Sequence, residues 1–277
     1  MDAGGLSLDH YSVPQRHVFY ESEEEEEENE EQDNLFVIDA PTALPNVKLL
    51  VLCTTEVGGV FMKSHVTLEP QPLLNIDTCC PEKVLKDCYF HQRRDRVNET
   101  VGELYRVKGK EDAFVYVQLK SLKDEHCNQW SRMLIDATRP DTVIILHSSL
   151  LHQYYHTEDE ELDEEEEVEG EAQFLKCLQT RSWSDKPLTS LLSSNNIITG
   201  EAAAAMSLCQ YASVPASIVV QYFSSSLTLK ERAKGWRPLF SHPLLSQSVS
   251  LVSLGVANKN LHSLTLRKHS DLDTLYT

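Results

Sequence analysis

The sequence lacks the short signatures by which common enzymes are recognised. It contains no G-x-S-x-G nucleophile elbow and no kinase, metallopeptidase or dinucleotide-binding motif. Gly58 and Gly59 are adjacent, but no phosphate-binding pattern surrounds them, so we interpret them as part of a tight connection between strands. No residue stands out as catalytic. We therefore expect neither enzymatic activity nor a cofactor.

The sequence also lacks a regular cysteine framework. Its seven cysteines are odd in number and irregularly spaced, which is typical of a reducing compartment rather than of a disulfide-stabilised secreted protein. The first residues show no basic stretch followed by an apolar core, so no secretory signal peptide is predicted. We accordingly expect a cytoplasmic location, with nuclear or endoplasmic-reticulum association as further options.

A membrane span is not expected either, although residues 202–229 carry no charge. Polar residues and a proline interrupt this stretch, and its two halves favour different structures. Residues 202–211 are rich in alanine and favour a helix, whereas residues 216–223 are β-branched and aromatic and favour a strand. The stretch therefore predicts a buried helix followed by a buried strand in a soluble protein.

Basic residues are absent from two strongly acidic runs. Residues 21–33 hold 10 carboxylates and residues 158–171 hold 11, while the other 22 acids of the chain are matched by 25 bases. Runs of like charge repel themselves and stay solvated, so both are predicted to be disordered spacers. An alternative is that the two runs attract basic partners such as histones.

Between these runs, uniformly apolar strands alternate with helices. Buried strands are predicted at residues 46–53, 113–120, 142–147 and 216–223, and helices at residues 124–137, from 200 onward, 228–234 and 259–269. The second of these helices has Thr199 as its expected N-cap, and the first presents Trp130, Met133 and Leu134 on one side. This order predicts a single α/β domain, with a mostly parallel or mixed central sheet and helices on both faces.

The expected domain organisation follows from these patterns. We expect a disordered acidic segment at residues 1–34, followed by an α/β domain at residues 35–270. Within this domain, residues 157–172 form a disordered acidic loop insertion. A flexible C-terminal tail follows at residues 271–277.

Three clusters of side chains could in principle bind a metal or an anion, but none of them predicts a functional site. Cys79, Cys80, Cys88 and His91 lie close in sequence, but they lack the paired knuckles of structural zinc sites, so no metal is predicted. The other two clusters are interpreted as solvent-exposed groups: His147, His152 and His156 in a loop, and Arg93, Arg94 and Arg96 without interleaved aromatics. Nucleic acid is not an expected partner.

The chain ends in Leu275, Tyr276 and Thr277. A hydrophobic residue, a tyrosine and any last residue form the docking motif of proteasome activators and assembly factors. Upstream, a Trp-bearing helix runs into RPDTVIILHSS, and FLKCLQTRSW and AAAAMSLCQYASVPASIVVQYF follow in that order. This arrangement resembles the proteasome assembly chaperone 1 family over most of residues 46–277. The second acidic run and residues 64–110 have no counterpart in the resemblance.

The resemblance implies a non-catalytic chaperone that forms a heterodimer with a second, related assembly chaperone. The pair would bind proteasome α-subunits, promote α-ring assembly and prevent off-pathway ring association. Leu275, Tyr276 and Thr277 would dock between adjacent α-subunits. Two alternatives stay open at this point: an acidic chaperone for basic proteins, and an unassigned α/β enzyme of nucleoside-phosphorylase-like architecture.

Overall fold

In a computed structural model, the described residues are 36–38, 47–78, 99–155 and 172–273. They belong to one compact unit that begins at Asn34. Both acidic runs, which are predicted to be disordered, lie outside the described residues.

The described part of the chain forms an eight-stranded mixed sheet. Its spatial order is β1-β3-β4-β5-β2-β6-β8-β7. The strands in chain order are β1 (Phe36–Ile38), β2 (Leu49–Cys53), β3 (Leu74–Thr78), β4 (Glu99–Arg106), β5 (Ala113–Gln118), β6 (Thr142–Leu150), β7 (Gln173–Gln179) and β8 (Ala216–Phe223). The four central strands β5, β2, β6 and β8 are parallel, and antiparallel strands flank them on both sides. The predicted mixed α/β sheet is confirmed.

Helices cover both faces of this sheet, as predicted. The helices in chain order are α1 (Glu56–His65), α2 (Asp124–Thr138), α3 (Gly200–Tyr211), α4 (Leu229–Lys234), α5 (Pro243–Ser248) and α6 (Leu254–Asp273), with short 3₁₀ helices at Leu151–Gln153 and Arg237–Ser241. One face packs against α2 and α3, which we call the α2–α3 layer. The other packs against α1, α4, α5 and α6, which we call the α1–α6 layer.

Continuous apolar runs form the centre of the sheet because its parallel strands are buried on both faces. Every residue of β2, β5 and β8 is buried. Along β2, Leu50 and Leu52 face the α2–α3 layer, while Leu49, Val51 and Cys53 face the α1–α6 layer. This two-sided burial explains why these strands show no polar alternation.

The apolar run at residues 57–62 is helical, and its interpretation as a strand connection is wrong. It forms most of α1, which packs very closely on the sheet. A Cβ atom added at Gly59 would lie 2.7 Å from Val117 Cγ1, and one at Gly58 would lie 3.3 Å from Leu146 Cβ. The two glycines therefore permit close helix–sheet packing.

A hydrogen bond between two buried aromatic residues holds α2 on its face of the sheet. Trp130 and Leu134 are buried and Met133 is partly buried, so the predicted inward side of this helix is confirmed. Trp130 Nε1 donates to Tyr116 Oη at 3.0 Å, and Tyr116 Oη donates to the Gln118 side chain at 2.6 Å. Since buried polar groups need partners, this chain of bonds fixes the position of the indole.

Candidate functional site

Helix α6 is the last described element, and it determines where the predicted docking residues begin. It starts five residues before the predicted helix and ends at Asp273, so it takes in the first three residues assigned to the tail. Leu275, Tyr276 and Thr277 lie outside the described residues, and their contacts stay a prediction. The site is therefore built from the residues that hold and direct α6.

A narrow apolar stripe attaches α6 to the other helices of the α1–α6 layer. Ala257 and Leu261 are one helical turn apart and fully buried, because residues i and i+4 share a helix face. Val256 and His262 beside them are exposed. The helix packs mainly against α1 and also against α4.

Three polar side chains connect α6 with the end of α1. They are His65 on α1, Arg237 at the start of a 3₁₀ helix and Asn258 on α6, and we call them the His65–Arg237–Asn258 cluster. Arg237 Nε donates to His65 Nε2 at 3.2 Å, and Arg237 Nη2 donates to Asn258 Oδ1 at 2.6 Å. One guanidinium thus bridges two helices.

The cluster requires a neutral His65. Because Nε2 accepts a hydrogen bond from Arg237, the imidazole proton resides on Nδ1, which lies 2.7 Å from Ser64 Oγ and 3.1 Å from the Phe61 carbonyl oxygen. His65 is only 4% exposed, and this burial lowers its pKa. The nearby positive charge of Arg237 acts in the same direction.

Further hydrogen bonds hold the beginning of α6 at the same place. The Val252 backbone N–H donates to the His65 carbonyl oxygen at 2.9 Å, two residues before the helix begins. Asn260 Nδ2 donates to the Ser64 carbonyl oxygen at 3.3 Å. The first two turns of α6 are therefore bound to the last turn of α1.

Helix α6 then runs antiparallel to α1, towards the carboxyl ends of the central strands. Leu264 lines a cavity of about 470 Å³ together with Thr54 and Thr55, which follow β2 and precede α1. Residues 117–121 at the end of β5 line the same cavity. The helix thus reaches the carboxyl edge of the sheet at Leu264 and continues for nine more residues.

This cavity does not have the character of an anionic substrate site. Lys63 Nζ lies 3.0 Å from Glu103 Oε2, and Lys120 is paired with Glu99. Both lysines that line the cavity therefore already have carboxylate partners. An enzyme of the nucleoside-phosphorylase type would need cationic groups available for phosphate.

A second cavity, of about 540 Å³, lies at the carboxyl ends of β6 and β8 and contains two of the predicted histidines. His152 is exposed, as expected. His147 lies on β6 and is partly buried, so its assignment to an exposed loop is wrong. Burial lowers the pKa of His147 to about 4, and its Nδ1 lies 3.1 Å from Thr54 Oγ1. His156 lies outside the described residues.

The cysteines that the structure describes are buried free thiols: Cys53, Cys127, Cys177 and Cys209. Burial raises the pKa of Cys127 to about 11 and that of Cys209 to about 12, which keeps these two thiols protonated and unreactive. The described residues contain no cluster of metal-ligating side chains. The predicted groups at residues 79–91 and 93–96 fall outside them. None of the described helices is both long and apolar enough to cross a membrane.

Comparison with known proteins agrees with the sequence resemblance. A family model described as Proteasome assembly chaperone 4 matches residues 70–257, which is more than half of the chain. Proteasome assembly chaperone 1 of Nematostella vectensis is 21% identical over 180 residues, or 64% of this chain. The match covers 66% of that relative, just under two thirds of its length.

Solved structures share the fold at low sequence identity. Pyrococcus furiosus PbaA, an archaeal homolog of proteasome-assembly chaperone, has a TM-score of 0.52 at 11% identity, over 87% of this chain and 94% of its own. Pyrococcus furiosus PbaB, an archaeal proteasome activator, has a TM-score of 0.52 at 9% identity, over 88% of this chain and 100% of its own. The fold and the family match together lead to one conclusion: this chain belongs to the proteasome assembly chaperone family.

Proposed function

We propose that this chain assists α-ring assembly of the proteasome and contacts α-subunits through its last three residues. In this proposal it pairs with a second, related assembly chaperone, promotes α-ring formation and prevents off-pathway association of rings. The observation that carries the proposal is the family match over residues 70–257.

The last three residues have the chemistry of a small docking element. Leu275 and the ring of Tyr276 would enter a groove between adjacent α-subunits, where the tyrosine hydroxyl finds a backbone partner. The terminal carboxylate of Thr277 would pair with a lysine in that groove through a charge-assisted hydrogen bond. Each residue thus makes a different type of contact.

Such a tail binds weakly by itself. Ordering each residue costs about 1–2 kcal/mol of backbone entropy, which offsets much of the contact energy. Attachment to a folded body that also touches the ring, or to a partner with its own tail, raises the effective concentration of the tail to roughly millimolar. A chaperone held in this way binds firmly and is still released when the ring matures.

We also propose that the chain works in the cytoplasm, where α-subunits would meet it before ring closure. The free, buried thiols of the described cysteines fit a reducing compartment. Imaging of a fluorescent fusion together with α-subunits tests this location. Fluorescence confined to a secretory compartment would contradict this proposal.

A pull-down from cell extract tests the function, with mass spectrometry as the readout. The baits are the intact chain, a chain without residues 275–277, and the Tyr276→Ala variant. We expect the intact bait to recover α-subunits and a second chaperone. The two tail variants should keep the second chaperone but recover fewer α-subunits, because only the docking contact is lost. Absence of α-subunits from every bait would overturn the proposal, and recovery of basic proteins alone would favour the acidic-chaperone alternative.

A further inference from the structure

The fully buried side chains in the described part of α6 lie within its first eight residues. Leu261 is the last fully buried residue of the described α6 side chains, which extend to Leu266. The helix backbone continues to Asp273, twelve residues further, which corresponds to roughly 18 Å at a helical rise of 1.5 Å per residue. A tilt of about 10° at Leu261 would therefore move the end of the helix by roughly 3 Å.

The apolar stripe alone does not define the direction of so long a helix. Among the described side chains of α6, Ala257 and Leu261 are the fully buried ones, and contacts between apolar surfaces are not directional. Arg237 supplies a directional constraint, because its planar guanidinium presents donors in a fixed fork. One nitrogen of the fork bonds His65 on α1 and another bonds Asn258 on α6.

The position of the His65–Arg237–Asn258 cluster, near the start of α6, is suited to orienting this helix. Asn258 lies in the second turn of α6, beside the buried Ala257 and close to the point where the helix joins the body. His65 is held in turn by Ser64 Oγ and by the Phe61 carbonyl oxygen, so the acceptor for Arg237 is itself fixed. A change at the base of α6 is amplified along the twelve residues beyond Leu261.

We propose that Arg237 is a positioning residue that sets the direction of α6 through His65 and Asn258, and so sets where the C-terminal tail meets an α-subunit. This inference rests on the proposed docking function, because the direction of α6 matters only if the tail binds. The tail starts where α6 ends, so a shift of the helix end by about 3 Å moves the starting point of the tail relative to any surface that the body contacts.

The test measures the direction of α6 independently of its function. Spin labels are introduced as non-canonical amino acids at Ser270, in the last turns of α6, and at the exposed Arg132 on α2, and pulsed electron resonance gives the distance distribution between them. We expect a single narrow distribution for the intact chain. Arg237→Lys and Asn258→Leu should broaden or shift it, since lysine lacks the fork and leucine lacks the acceptor oxygen.

Two matched variants separate orientation from general destabilisation. Asn258→Asp keeps an oxygen acceptor for Arg237 and should restore the narrow distribution. Lys259→Ala alters the exposed neighbour of Asn258 and should leave the distribution unchanged. Thermal unfolding of every variant is recorded in parallel, and all distances are measured at a temperature well below the lowest unfolding midpoint, where every variant is folded.

Binding to purified α-subunits completes the test. Arg237→Lys and Asn258→Leu should weaken binding at least about tenfold if the tail can no longer dock together with the body. Distance distributions of both variants that coincide with that of the intact chain would overturn the positioning role. If deletion of residues 275–277 leaves α-subunit binding unchanged, the proposed docking function fails instead, and the distances still decide whether Arg237 orients α6.

Discussion

The two helical layers of this protein are built differently on the same sheet. In the α2–α3 layer, the largest side chains are joined by internal hydrogen bonds, from Trp130 through Tyr116 to Gln118. In the α1–α6 layer, the connecting polar group is Arg237, which bridges two helices and reaches the surface. The first arrangement holds one helix to the sheet, whereas the second fixes one helix relative to another.

Because of this difference, we expect substitutions in the two layers to have different effects on stability and on α-subunit binding. The α2–α3 layer is remote from α6, so damage to it should lower stability without changing how the tail is presented. The α1–α6 layer contains both the attachment of α6 and the close contact of α1 with the sheet. Damage there should change stability and α-subunit binding together.

The largest expected effect is that of Trp130→Ala in the α2–α3 layer. Truncation of a fully buried tryptophan leaves a large cavity and costs about 3–5 kcal/mol of unfolding free energy. Urea denaturation measures this loss, and Arg132→Ala, an exposed substitution on the same helix, is the control and should change it by less than about 0.5 kcal/mol. The fraction that stays folded should bind α-subunits normally. If the folded variant binds α-subunits more weakly, the claim that the α2–α3 layer affects stability alone is contradicted.

An effect of intermediate size is expected from acid, because two described histidines on opposite sides of the sheet, His65 and His147, have a lowered pKa. In the unfolded chain both histidines titrate near their ordinary pKa of 6.5, so protons bind the unfolded state first. Stability should therefore fall as the pH drops below about 6.5, by at most about 3 kcal/mol for His147, whose pKa is about 4 in the folded chain. Above pH 7 this contribution is complete.

Comparison of the intact chain with His147→Asn isolates this histidine from the many carboxylates. The difference in unfolding free energy between the two proteins should change between pH 6.5 and pH 4 and stay constant above pH 7. A difference that is independent of pH over the whole range would contradict the assignment.

A smaller effect is expected from Gly59→Ala in the α1–α6 layer. The added methyl group would meet Val117 Cγ1 at 2.7 Å, so α1 has to move outward, at a net cost of about 1–3 kcal/mol. Gly255→Ala is the matched control, since nothing lies within 4 Å of its added carbon, and it should stabilise the chain by up to about 1 kcal/mol. Thermal unfolding measures both. Equal effects of the two substitutions would show that α1 does not pack closely on β5.

Much of the centre of the fold can be predicted from the sequence, because burial on both faces produces continuous apolar runs. Residues 216–223 form β8 with the predicted bounds, and α2 ends one residue beyond its predicted end. Thr199 precedes α3 as its N-cap, although its side chain makes no capping hydrogen bond. Local patterns were sufficient for these elements.

The remaining elements are determined by tertiary contacts. Strands β3 and β4 were not predicted from residues 64–110. Leu74 and Ile76 in β3 alternate with less buried residues, as is typical of a strand, but β3 has only five residues and the pattern is too short to identify it. The glycines of α1 oppose a helical prediction, and only the nearness of Val117 explains them. His65 and Arg237 are 172 residues apart, so no local pattern could bring them together.

The most direct test of the central claim is a titration of assembled α-rings with three proteins at constant ionic strength. The proteins are the intact chain, the chain without residues 275–277, and a chain without residues 21–33 and 158–171. We predict that loss of the tail weakens binding at least about 30-fold, as for a hot spot of 2 kcal/mol or more, while loss of the acidic runs changes the affinity by less than about threefold. The opposite result, with the tail dispensable and the acidic runs required, would contradict docking through Leu275–Thr277 and favour an acidic chaperone for basic proteins.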